Sequence, residues 1–217
     1  MVRALMAMGG SVLGIGTDIA GSIRIPGLCN GVFAFKPSTN RIPYGKQTSS
    51  AREGLAGFAA AAGPLARSPR DLELLTSAVL KTDPSKRDPT ASFTPWRSVE
   101  KSPGRKLRLG LIVEDPTFPL HPPVMRALNT AVDKLKEAGH TIIPLTDKVP
   151  NISETLLTAF RFFGMDPKKI VFSHIDASGE PRIPSLATAG LPQPHFPHNY
   201  IEPTLENLIQ LNVKRGR

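Results

Sequence analysis

Between Leu107 and Leu145 the chain carries three patterned stretches in succession. Leu107 to Val113 is a short apolar run, Pro122 to Ala138 is amphipathic, and Thr141 to Leu145 is apolar and β-branched again. In the middle stretch Val124, Leu128, Val132 and Leu135 recur at helical spacing, and Gly139 follows as a stop. Strand, helix and strand in that order form a βαβ unit. Its two strands are expected to be parallel neighbours joined by a right-handed crossover, with the helix packed on one face. The fold class is therefore α/β.

Other stretches give weaker signals. Ala4 to Met8 suits a helix that stops at Gly9-Gly10, and Ser11 to Ile15 and Gly31 to Phe35 read as short strands. Ser68 to Leu80 is the best helix in this half. Ser68 caps it, Pro69 fits its first turn, and Leu72, Leu75, Val79 and Leu80 share a face. Asn151 to Phe163 and Pro203 to Val213 are further helix candidates. The 22 prolines crowd residues 84–123 and 181–203, which implies long irregular connections. The expected organisation is a first segment at 1–82, a proline-rich linker or surface excursion at 83–104, and a βαβ-containing continuation of the same domain at 105–217.

Several classes are excluded by composition. One cysteine, Cys29, cannot form an internal disulfide, so a stapled secreted scaffold is ruled out. No window reaches ~18 uninterrupted apolar residues, so no membrane span is expected. The first sixteen residues run without a cleavage site into Thr17-Asp18 and read as mature structure, which points to the cytoplasm. The formal charge of +9 raises nucleic acid as a partner. The basic residues are scattered, however, and only 6% of residues are aromatic, so no nucleic-acid binding is expected.

The glycine-rich run from Gly9 to Pro26 carries the chemistry. A serine nucleophile needs a tight turn that exposes Oγ and neighbouring N–H groups that converge on an oxyanion. Ile19-Ala20-Gly21-Ser22 offers consecutive amides beside a hydroxyl, with Gly21 free to adopt an unusual φ. Spacing alone is a weak signal, since such runs are more often simple turns. The pair Gly14 and Gly16 is no dinucleotide fingerprint, because no strand–turn–helix context surrounds it.

The run from Gly16 to Pro26, GTDIAGSIRIP, resembles the diagnostic segment of the amidase signature family. Gly31 to Ser38 is similar to that family's glycine-to-Lys-Pro run, and Gly63 to Ser68 followed by Asp71-Leu72 also matches. Leu107 to His140 and Ser178 to Pro181 resemble its acetamidase and fatty acid amide hydrolase-like branch. The resemblance implies a partial amidase-signature fold, truncated at both ends, with a mixed and mainly parallel sheet flanked by helices. It implies hydrolysis of a carboxylic amide of a small molecule to acid plus ammonia or amine, through an acyl-serine intermediate. Ser22 would be the catalytic nucleophile, and the amides of Ile19, Ala20, Gly21 and Ser22 the oxyanion hole. Ala20 stands where glycine is commoner in the family. Asp18 and Arg24 would brace the loop, and Thr17 would help orient a second serine. No cofactor and no metal are implied.

One departure is large. The family activates its nucleophile with a lysine and a second serine, the latter in a Gly-Ser-Ser-Gly-Gly-type run upstream of the diagnostic segment. Neither is found in this chain, so it is expected to be inactive as it stands. Lys36 and Lys46 are the nearest lysines in sequence, and Lys36 matches a structural run. His195 and His198 are flanked by prolines that argue against a helical ligand pair, and Cys29 is expected to be buried and inert. The rival reading is a non-catalytic fragment: a pseudoenzyme, a partner-binding remnant or a truncated gene model. A sheet lacking strands at both ends would expose edges, so homo-oligomers or aggregation are expected.

Overall fold

The computed structural model of the chain describes residues 2–48, 59–98, 104–115, 118–145, 148, 152–166, 170–181, 184 and 204–215. The chain divides into two compact units, Met1–Val99 and Glu100–Arg217.

The first unit contains helix α1 (Val2–Ala7), strand β1 (Leu13–Asp18), helix α2 (Arg24–Cys29), strands β2 (Phe33–Ala34) and β3 (Ala61–Ala66), and helix α3 (Pro69–Lys81). The strands form one sheet in the order β1-β3-β2, and β3 runs antiparallel to both neighbours. Leu13 pairs with Ala66 and Asp18 with Ala61 along β1, while Ala34 pairs with Leu65. Helix α1 packs on β1, α2 on β2, and α3 on β3. Met6, Ile23 and Leu65 are fully buried at the centre, with Val32 and Ala34 packed against them.

Helix α3 starts where Ser68 caps it: Ser68 Oγ accepts the Asp71 amide at 3.2 Å and donates to Asp71 Oδ2 at 2.7 Å. Its buried face holds Thr76 and Leu80. Beyond it, Pro84–Lys86 forms a 3-10 turn. The segment expected to be an excursion is tied back to residues 40–45. Asp88 accepts the Gly45 amide at 2.8 Å, Thr90 Oγ1 accepts the Tyr44 amide at 2.9 Å, and the Ser92 amide donates to the Asn40 carbonyl at 2.7 Å.

The second unit contains β4 (Arg108–Leu111), α4 (Pro122–Glu137), β5 (Thr141–Pro144), α5 (Ile152–Gly164), α6 (Ile170–Ser178) and α7 (Leu205–Arg215). Strands β4 and β5 are parallel, pairing Arg108 with Thr141 through Leu111 with Pro144, and α4 packs against β5. The βαβ reading therefore holds for strand direction and helix placement. Helices α5 and α7 pack together, and Phe162, Met165 and Leu211 are buried.

The α/β class holds, but the expected mainly parallel sheet needs correction. Among the described residues only β4 and β5 pair in parallel, and the three-stranded sheet is antiparallel throughout. The connection from β2 to β3, residues 35–60, is long enough to return the chain in either direction, so its length does not set strand polarity.

Candidate active site

Strand β1 ends by carrying Asp18 into the interior, where it is 1% exposed. Its carboxylate is the hub of the glycine-rich turn. Oδ1 accepts the Gly21 amide at 2.7 Å, and Oδ2 accepts the amides of Ile23 at 3.0 Å and Arg24 at 3.3 Å. The Ile23 and Arg24 amides stand at the start of α2, whose first N–H groups lack partners within the helix, and the Gly21 amide lies in the turn before it. Asp18 therefore caps α2 from the end of the preceding strand, and its negative charge sits at the favourable end of the helix dipole. The Ile25 amide donates to the Gly21 carbonyl at 2.8 Å, and Pro26, in the first turn, needs no acceptor.

Arg24 returns to the same carboxylate, with Nε 3.0 Å from Oδ2 and Nη2 3.0 Å from Oδ1. Burial pushes the Asp18 carboxyl upward, but the Arg24 hydrogen bond and the three amides outweigh it and hold the group well below the usual carboxylate range. The bond to Asp18 raises Arg24 in turn, against burial.

Between these anchors the chain turns sharply at Gly21, whose φ is +122°. The turn needs glycine for this backbone conformation, and a Cβ there would also displace the end of the exposed Ile25 side chain. Ile23 points into the core, fully buried beside Met6 and Leu65, while Ser22 is exposed. A buried carboxylate on one side and a buried isoleucine on the other thus present the hydroxyl at the surface.

Among the described residues the Ser22 hydroxyl makes no hydrogen bond, and neither do the amides of Ile19, Ala20 and Ser22. The Gly21 amide is already engaged by Asp18. Thr17 lies on β1 opposite Ala62 and is exposed. The Lys36 ammonium donates to the Pro37 carbonyl at 3.4 Å. Cys29, expected to be buried, is exposed, because α2 turns its Gly27 side toward Ala34 and leaves Cys29 outside. No group of three or more metal-ligating side chains occurs among the described residues. His195 and His198 lie outside them. Asp18 and Arg24 were expected to brace the loop; that the carboxylate does so by capping α2 was missed, because the six-residue helix carries no start signal of its own.

The family model described as Amidase matches residues 3–171. The chain is 34% identical over 183 residues to an amidase of Gibberella moniliformis, covering 84% of this chain and 34% of that protein. It is 35% identical over 189 residues to an acetamidase of Aspergillus oryzae, again covering 84% and 34%. A solved fatty acid amide hydrolase superposes with a TM-score of 0.84 at 31% identity, covering 99% of this chain and 37% of that one. The chain thus spans about a third of the length of the curated relatives it matches.

Proposed function

The chain belongs to the amidase family, and on that premise we propose that Ser22 is the nucleophile of a hydrolase acting on carboxylic amides of small molecules. The observation that carries this reading is the turn itself. An exposed hydroxyl is held between a buried carboxylate and a buried isoleucine, beside amides with no other partner. Ser22 Oγ attacks the amide carbonyl, and the amides of Ile19, Ala20 and Ser22 receive the oxyanion. The Gly21 amide contributes only by sharing its hydrogen with Asp18. Collapse of the tetrahedral intermediate breaks the C–N bond, and the proton given up by the Ser22 hydroxyl leaves on the amine. Water then hydrolyses the acyl-serine, releasing the acid and restoring the hydroxyl. Asp18 and Arg24 keep the turn in place without touching substrate. Thr17 is assigned to orienting a second serine.

No Gly-Ser-Ser-Gly-Gly-type run occurs in the 217 residues. We therefore assign no base within them, and the 217-residue polypeptide alone is expected to release no ammonia from acetamide. The test is a hybrid in which residues 3–171 replace the matching stretch of the Aspergillus oryzae acetamidase. A fluorophosphonate probe should label the hybrid, and Ser22→Ala should abolish both labelling and turnover. A folded hybrid that stays unlabelled would sink the assignment.

No helix among the described residues is long and apolar enough to cross a membrane. A cytoplasmic setting, self-association through open sheet edges and the absence of nucleic acid as a partner belong to this proposal. The lone cysteine, the exposed apolar side chains of β1 and α2, and the scarcity of aromatics support them respectively. The proposed division into residues 1–82, 83–104 and 105–217 treats the last as a continuation of the same catalytic domain.

A further inference from the structure

At the start of the βαβ unit, residues 106 and 107 are tied to residues 138–140 by two side-chain contacts. The Lys106 ammonium donates to the Ala138 carbonyl at 2.7 Å, and the Leu107 amide donates to His140 Nδ1 at 3.2 Å. Next in line, the Thr141 amide donates to the Leu107 carbonyl at 2.8 Å and begins the β4–β5 ladder. Gly139 has φ +82°, and a Cβ there would lie 2.8 Å from Lys106 Nζ, so the turn after α4 leaves the lysine its path. An imidazole accepts at Nδ1 only while neutral and protonated at Nε2; once charged, both ring nitrogens donate. The bond from the Leu107 amide to the ring therefore depends on a single proton.

We propose that His140 is a pH-sensitive latch on this pair: neutral, it closes the leading end of β4, and protonated, it releases the Leu107 amide. The charged groups of the surrounding elements are Arg105 and Lys106 ahead of β4, Arg108 on β4 opposite Thr141, and Lys134, Lys136 and Glu137 in the last turn of α4. The latch is closed while the ring is neutral and open once both of its nitrogens carry protons. Release unpairs the amide of Leu107 while the Thr141-to-Leu107 bond remains, so the opening is local to the strand's start.

Hydrogen exchange of the full chain tests this at pH 7.5 and 5.5, with rates corrected for intrinsic pH dependence. Protection of the Leu107 amide should fall about two- to fivefold on acidification. His140→Phe should show the low value at both pH values. His140→Gln, which accepts without titrating, should keep the high value at both. Unchanged wild-type protection between the two pH values would overturn the latch. So would His140→Phe protecting Leu107 as well as wild type at pH 7.5. An equal loss across peptides of α4 and α5 would report global unfolding and overturn it as well.

Discussion

At the scale of single residues, Asp18 exchanges bulk water for three turn amides and two contacts with Arg24. The Arg24 side chain is 56% exposed, so solvent screens the ion pair and the amides carry more of the stabilisation. Asp18→Ala leaves those amides without an acceptor and is expected to cost about 2–3 kcal/mol in urea unfolding. Asp18→Asn should cost less, because its side-chain oxygen still accepts. The folded-state carboxyl titrates well below its ordinary value, so its contribution is fully present above about pH 4 and is lost as pH falls through the folded-state value. Unfolding followed from pH 5 down to pH 2 should show a larger decline in the wild type than in Asp18→Asn, where Asp83 and Asp88 still contribute. An identical decline in both chains would refute the assignment. Gly21→Ala forces a side chain into positive φ and onto Ile25, at a cost of about 1–3 kcal/mol by the same measurement. The need for glycine at position 21 was legible in the sequence, because consecutive amides beside a hydroxyl require a sharp turn. The capture of the Gly21 amide by Asp18 was not legible, since it depends on how β1 delivers the carboxylate.

Among the elements, α3 offers the cleanest test of local chemistry. Ser68 both accepts the Asp71 amide and donates to its carboxylate, so Ser68→Ala should destabilise the unit by about 1 kcal/mol, read as a lower urea midpoint at constant slope. No change in midpoint would mean that packing alone sets the start of the helix. This helix was readable because cap, proline and 3.6-residue spacing agree within a dozen or so positions, and α4 because its apolar spacing ends at Gly139. Strand β3 was not readable. Ala-Ala-Gly-Pro-Leu-Ala is poor in β-formers, and its proline sits on a central strand where prolines are rare. It is held there by burial on both faces and by pairing with residues far along the chain; Pro64 contributes its carbonyl, which accepts the Phe35 amide at 3.0 Å. Helix α2 escaped notice for a related reason. Its six residues include Pro26 and Gly27, and its start depends on a carboxylate outside the helix.

On the scale of the whole molecule, surface chemistry sets how the chain behaves in solution. Among the described residues β1 and β2 are the edges of the three-stranded sheet, and an open edge offers unpaired backbone groups to any other strand. Apolar side chains are exposed on these strands and beside them: Ile15 on β1, Phe33 on β2, Val12 just ahead of β1, and Ile25 and Leu28 on α2. Opposing this, the formal charge of +9 makes every copy repel every other. Screening decides between the two. The Debye length shrinks from about 30 Å at 0.01 M salt to about 8 Å at 0.15 M, so repulsion between copies weakens steeply while apolar burial does not. The purified chain is therefore expected to associate increasingly as salt rises over that range, by light scattering coupled to size exclusion. Ile15→Lys places a charge on the exposed face of the edge strand and should shift the distribution toward monomer at every salt concentration. Lys134→Glu, on the surface of α4, lowers the net charge by two without touching that edge, and should strengthen association at low salt. A wild-type chain that stays monomeric from 0.01 to 0.15 M salt would show that neither edge is sticky. Association unaffected by Ile15→Lys would place the contact elsewhere.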